Sequence, residues 1–338
     1  EGDRSNRWIM MDPNMYLRAF AIILNVLDHL SPFGLRGGAP VLMILVGYNI
    51  ARFQSKALFK GQVGLVGRSL AKNLTLYYSV LLFWFIYRHN FSLQHLLFLS
   101  NILAPHIETW KIAYNSYWFV EAYVQIYLFI ICAFFIPRVR RRVSDRPLLF
   151  GIIATALSIG LLFVWRQTWM CSWNTMSKGS GYPVFEVAYL PAIGWCLYHA
   201  KSPVSRFLTF TGAILTIVLL SLFITPQENW NALIEPLAVG TIPILLISAK
   251  IRLSAPAKIS LFISTVAACS YAIYLLHMVP FILLGEMGGY WKKGIMPVIL
   301  GVALGFAGQW AFDRLLRLFA RNKQMSTEVV HDSEPFKG

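Results

Sequence analysis

Long apolar stretches alternate along this chain with short polar segments rich in Lys and Arg. A helix needs about 20 apolar residues to cross a hydrocarbon core. Ten stretches come near that length: about 14–31, 38–54, 70–88, 115–136, 147–165, 184–200, 205–224, 231–249, 262–285 and 295–316. The pattern predicts an all-α, polytopic membrane helical bundle of about ten transmembrane helices. An eleventh stretch, 91–104, is short and carries His95, so it reads as re-entrant or interfacial. Residues 1–13 read as a polar cytoplasmic segment, 14–320 as the transmembrane domain, and 321–338 as a disordered cytoplasmic tail. No soluble domain of useful size fits between the spans, and no repeat is visible.

Charge tests this count. With the N-terminus inside, cytoplasmic segments hold two basic residues before 14, five across 52–72, five across 138–146, two at 201–206, three across 250–258 and five after 313. That is 22, against 7 on the other side, with Arg18 inside the first span. The positive-inside rule therefore favours ten spans with N- and C-termini cytoplasmic. It also accounts for the net charge of +15 without nucleic acid as a partner. Composition agrees: 57% of the 338 residues are hydrophobic and 13% are charged, against about 25% charged in soluble proteins. A disordered chain, a collagen and a coiled coil are excluded. Of the four cysteines, Cys132, Cys196 and Cys269 lie in apolar runs and read as buried small hydrophobes. No metal-ligand spacing occurs.

Charges in hydrocarbon cost about 2.5–3.5 kcal/mol each and usually face a cavity or a partner. The first span carries Arg18, Asn25, Asp28 and His29. At about 100° per residue, Arg18, Ile22, Asn25 and His29 share one stripe, with Arg18 and His29 about 16 Å apart. Two readings stand: Arg18 snorkels inward while His29 sits at the outer interface, or the stripe lines a cavity. In a cavity, histidine is a general base near neutral pH, and arginine suits a phosphate or an anionic transition state. Glu121, Glu186, Glu235, His277 and Asp313 also fall at membrane level. Glu186 and Glu235 sit near outer span ends, Asp313 has Arg314 and Arg317 for a local ion pair, and His277 lies in mid-span.

These residues resemble the acyltransferase-3 family of integral-membrane acyltransferases. Arg18 and His29 match its Arg-x10-His signature in a first transmembrane helix. Val46-Gly47-Tyr48-Asn49-Ile50 is similar to its second-helix segment, with Val46 where the family has serine. Tyr117-Trp118-Phe119 with Gln125 and Tyr127 resembles its fourth-helix segment, with Tyr123 where an acidic residue is usual and Glu121 out of register. Ser270-Tyr271-Ala272-Ile273-Tyr274-Leu275-Leu276-His277 resembles its late Ser-Tyr-x-x-Tyr-Leu-x-His segment. The ordered set spans about 14–285.

The resemblance implies a membrane-bound O-acyltransferase that moves an acyl group, commonly acetyl, from acyl-CoA to a hydroxyl of a carbohydrate or similar acceptor. Arg18 and His29 are then the functional pair, with Asn25, Tyr271 and His277 supporting. Gly67-Arg68-Ser69-Leu70-Ala71-Lys72-Asn73 looks like the family's basic patch, so Arg68 and Lys72 either hold CoA phosphates or serve as positive-inside anchors. Acetyl-CoA is a donor substrate; no permanently bound cofactor and no metal are expected. The expected setting is a multi-pass protein of a bacterial inner (cytoplasmic) membrane, in contact with the lipid bilayer. A transporter or exporter of polysaccharide or a small acylated metabolite is the alternative, because a polar stripe lines a pathway equally well.

Overall fold

A computed structural model describes residues 8–27, 38–89, 93–103, 117–169, 184–224, 241–286 and 295–331. The helices are α1 (Pro13–Leu27), α2 (Gly38–Asn49), α3 (Ser55–Phe59), α4 (Val63–Arg88), α5 (Leu93–Leu96), α6 (Ser100–Leu103), α7 (Trp118–Phe135), α8 (Pro137–Asp145) and α9 (Pro147–Trp169). They continue with α10 (Val184–Val187), α11 (Tyr189–His199), α12 (Pro203–Ile224), α13 (241–248), α14 (Ala257–Leu276), α15 (Met278–Glu286) and α16 (Met296–His331). Among the described residues, six helices are long and apolar enough to cross a membrane: Val63–Arg88, Trp118–Phe135, Pro147–Trp165, Pro203–Leu220, Ala257–Leu284 and Met296–Leu318. The fold is thus a multi-pass, all-α membrane bundle.

Between α2 and α3 the chain stays helical through a π-turn, Ile50–Gln54. One turn of this wider helix rotates the side chains that follow it, and such turns often mark functional sites. Of the stretch 91–104, expected to be re-entrant or interfacial, the described residues 93–103 carry the four-residue helices α5 and α6.

Glycines set the closest helix contacts. A Cβ added at Gly47 would run into the backbone of Pro191, and one at Gly194 into the backbone of Ile44, so α2 and α11 meet backbone to backbone. Gly301, Gly305 and Gly308 form a stripe on α16 that packs on His277, Ile273 and Leu276. In lipid, where apolar burial between helices gives little, such small-residue seams let dispersion contacts hold helices together.

At one end of the bundle the polar segments meet. Trp8–Met11 pairs antiparallel with Leu253–Pro256, with Trp8 opposite Pro256 and Met11 opposite Leu253. Asp12 bonds Arg52 at 2.8 Å, and the Tyr16 hydroxyl donates to the Ile251 carbonyl at 2.8 Å. Gly61, at φ 74°, leaves room for the Arg140 guanidinium. The Trp195 indole N–H donates to the Pro147 carbonyl at 2.8 Å. Arg52, Arg140 and Arg252, at or beside these contacts, belong to the basic segments counted above.

Several expectations need correction. Residues 8–11, four consecutive apolar residues, form a strand whose partner lies 242 to 248 positions away, which no local pattern announces. α16 continues past 320 to His331; 332–338 lie outside the described residues. Cys132 is exposed, whereas Cys196 and Cys269 are buried; an apolar run faces lipid as readily as protein. Asp313 does not pair with its arginines: Arg317 reaches only its carbonyl, at 3.4 Å, and Arg314 stacks over Trp310 at 5.3 Å. His277 sits where α14 gives way to α15, within the membrane-length helical stretch Ala257–Leu284.

Candidate functional site

Six segments enclose a cavity of about 230 Å³. Arg18 comes from α1; Leu42, Leu45, Val46 and Asn49 from α2; Phe53 from the π-turn; Ser69 and Asn73 from α4; Phe119, Tyr123 and Tyr127 from α7; Ser270, Tyr271 and Tyr274 from α14. The α2 residues recur at helical spacing on one face, opposite the face that meets α11. Phe53 and Ser69 are exposed, which puts a mouth between α2 and α4.

Arg18 is the cation of this cavity. Its Nε donates to Ser270 Oγ at 2.8 Å, and among the described residues no carboxylate pairs with it. The Tyr123 and Tyr127 rings lie 4.6 Å apart. Their hydroxyls accept from Asn73 Nδ2 and Gln54 Nε2, each at 3.0 Å. Two buried polar atoms of the wall have no partner among the described residues, Asn49 Oδ1 and the Tyr271 hydroxyl. A buried polar atom without a partner costs about 1–3 kcal/mol, so a polar guest in this cavity would relieve that cost.

A second polar assembly lies beside it. Glu121 is fully buried. Ser100 Oγ donates to one carboxylate oxygen, and the Asn101 backbone N–H donates to the other at 2.7 Å. Gln125 Nε2 donates to Asn101 Oδ1 at 2.9 Å and to the Phe98 carbonyl. From α4, the Tyr77 and Tyr78 hydroxyls donate to the carbonyls of His95 and Leu96, both at 3.1 Å. Glu121 and Gln125 therefore fasten 93–103 to the bundle. The sequence marked Glu121 as a membrane-level acid, but its partners became visible only in three dimensions.

The expected site residues fare differently. Arg18 and Tyr271 line the cavity together. Asn25 does not: its backbone packs where Gly38 brings α2 against α1, and Ile22, between Arg18 and Asn25 on the stripe, is fully buried. Arg68 and Lys72 are exposed on α4, each one residue before a lining residue, Ser69 and Asn73. His277 is buried, with Nδ1 2.6 Å from the Tyr274 carbonyl, and its backbone faces Gly301. His29, Asp28 and Glu235 lie outside the described residues. Glu186 is half-buried in α10. Sequence reasoning missed Asn49, Asn73 and Tyr123 as wall residues. Tyr123 stood out only as a departure from an acidic position.

No family model, no curated protein and no solved structure matches this chain. What the site can do therefore rests on its chemistry. A guanidinium steadied by a hydroxyl, two side-chain amides and four tyrosines recognise an anionic or carbonyl-bearing group. Among the described residues the wall has no carboxylate and no histidine, so a proton acceptor would have to come from elsewhere.

Proposed function

We propose that the chain is a membrane O-acyltransferase of the acyltransferase-3 type, with Arg18 and His29 as its functional pair. The observation that carries this reading is the Arg18 guanidinium, paired with Ser270 and, among the described residues, with no carboxylate, in a tyrosine-walled cavity beside the basic end of the bundle. The donor is an acyl-CoA. Its nucleotide lies at the rim near Arg68 and Lys72, and its pantetheine arm enters past Ser69 and Asn73 toward Arg18. The acceptor hydroxyl oxygen attacks the thioester carbonyl, the carbon–sulfur bond breaks, and His29 takes the hydroxyl proton and returns it to the departing thiolate. Arg18 steadies the donor and the charge that gathers on the carbonyl oxygen.

The topology belongs to the same proposal: ten spans, with both termini in the cytoplasm of a bacterial inner membrane. Support comes from the basic end of the bundle, where 8–12, 52–61, 140–147, 195–201 and 250–256 meet. A chain that returns to one face crosses an even number of times between returns, and the positive charge on that face makes it cytoplasmic.

The test is release of free thiol by the purified protein from acetyl-CoA and a glycan acceptor. Acceptor-dependent release that is lost in His29→Ala is expected. Acceptor flux across vesicles without thiol release would overturn the enzyme reading in favour of a transporter.

A further inference from the structure

A second group of cations collects at the basic end, on the far side of α2 from the cavity. Leu42, Leu45, Val46 and Asn49 face the cavity, whereas Ile44, Gly47 and Tyr48 face α11. The Tyr48 ring meets the Tyr198 ring edge-on at 5.6 Å. Just past α11, Lys201 Nζ lies 4.1 Å from the centre of the Tyr198 ring. Arg206 Nη2 donates to the Lys201 carbonyl at 2.8 Å, while its Nε is buried with no acceptor among the described residues. Lys250 lies within electrostatic range, on a turn held at φ 52°.

Partial desolvation of its exposed side chain, then the positive charges of Lys250 and Arg206, lower the pKa of Lys201. No carboxylate among the described residues pairs with any of the three; Asp12, the acid bound at this end, is engaged by Arg52 at 2.8 Å. Cations that serve only as anchors extend into water and stay apart. Here one is folded onto a ring and another has a buried donor without an acceptor, an arrangement that an anion would stabilise. The N-terminus of α12 lies in the same place. Ser202 caps it by accepting from the Ser205 N–H at 3.1 Å, and its positive dipole end favours an anion.

We propose that Lys201, Arg206 and Lys250 bind the phosphate of an anionic phospholipid headgroup. The lipid source follows from the neighbours of Arg206: Val204, Phe207 and Leu208 are 67%, 66% and 63% exposed on the first turns of α12. A headgroup held by the cations lays its acyl chains along these side chains, whereas a soluble phosphate leaves them uncovered. The site is separate from the cavity, with α2 between them, and does not depend on the acyltransferase reading.

Native mass spectrometry of the detergent-purified full chain tests it. The probe is phosphatidylglycerol, with phosphatidylcholine and inorganic pyrophosphate as comparison arms. Wild type is expected to retain phosphatidylglycerol over phosphatidylcholine and over pyrophosphate. The triple variant Lys201→Gln/Arg206→Gln/Lys250→Gln is expected to need at least about tenfold more lipid. Arg138→Gln/Arg141→Gln/Arg142→Gln, which removes equal charge from α8, is expected to bind as wild type. Equal loss in both triple variants, or no loss in the first, overturns the site. Retention of pyrophosphate in preference to lipid overturns the lipid assignment. If the triple variant does not fold, Lys201→Gln alone decides the matter, because that side chain is exposed and its removal is expected to weaken retention at least about threefold.

Discussion

Two buried polar assemblies lie side by side on α7, and they differ in closure. Around Glu121 both carboxylate oxygens accept hydrogen bonds from within the chain, and the neighbouring amide and tyrosines bind backbone carbonyls of 93–103. Around Arg18, among the described residues, the cation has one hydrogen-bond partner, Ser270, and the wall keeps two atoms without any. A closed network spends its hydrogen bonds on holding structure. An open one keeps them for a guest. Burial of a charge in a membrane bundle therefore does not by itself indicate function; the unfilled valence beside it does.

The largest expected effects belong to the proposed functional pair. If the acyltransferase proposal holds, His29→Ala is expected to lower acyl transfer by about 100-fold or more with CoA binding nearly intact, because a base acts only in the chemical step. Arg18→Ala is expected to lower kcat/KM by a similar factor, with little loss of thermal stability. Arg18→Lys is expected to rescue only in part, since an ammonium lacks the planar fork. Thiol release and thermal melting on the same samples check all three. A strong loss of stability in Arg18→Ala would make the open assembly structural after all.

At the closed side the expected effect moves to stability. Glu121→Ala leaves the Ser100 hydroxyl and the Asn101 N–H without acceptors, at about 1–3 kcal/mol each. Its melting midpoint is expected to fall and proteolysis within 93–103 to rise. Unchanged melting with lost activity would transfer Glu121 to the catalytic group.

Smaller effects sharpen the boundary. Ser270→Ala frees the Arg18 side chain and is expected to raise the KM for acetyl-CoA about fivefold, as one lost hydrogen bond of about 1 kcal/mol would. Tyr271→Phe removes a hydroxyl that no group among the described residues uses, so melting is expected to stay unchanged while KM rises about two- to fivefold. Charge reversal at Arg68 or Lys72 is expected to raise the KM for acetyl-CoA by a similar small factor, as exposed contacts are screened. Unchanged KM in both would leave them as anchors.

The sequence made part of this site readable and hid the rest. Arg18 was conspicuous because a charge in an apolar run is costly wherever it lies. Tyr271 came from its place in a Ser- and Tyr-rich segment. Asn73 and Tyr123 were invisible as neighbours, since their bond joins positions 50 residues apart. Ser270 was quoted in a motif, but its role depends on a contact across 252 residues. The stripe from Arg18 to Asn25 was periodic in sequence, yet Ile22 in its middle is fully buried, so periodicity marked a face without marking an opening.

By itself the sequence determined the membrane bundle and its apolar helices, because transfer into hydrocarbon is summed residue by residue along a single span. It also determined where positive charge collects, which needs no knowledge of neighbours. Only the tertiary structure decided which apolar faces meet protein and which meet lipid, as with the outward Cys132 and the inward Cys196. It alone joined Trp8–Met11 to Leu253–Pro256, closed the shell around Glu121 and left Arg18 facing a cavity. The physical reason is that lipid is as apolar as a protein core, so hydrophobicity carries no signal for packing there. Contacts among helices are set by close approach of small residues and by pairwise hydrogen bonds between distant positions.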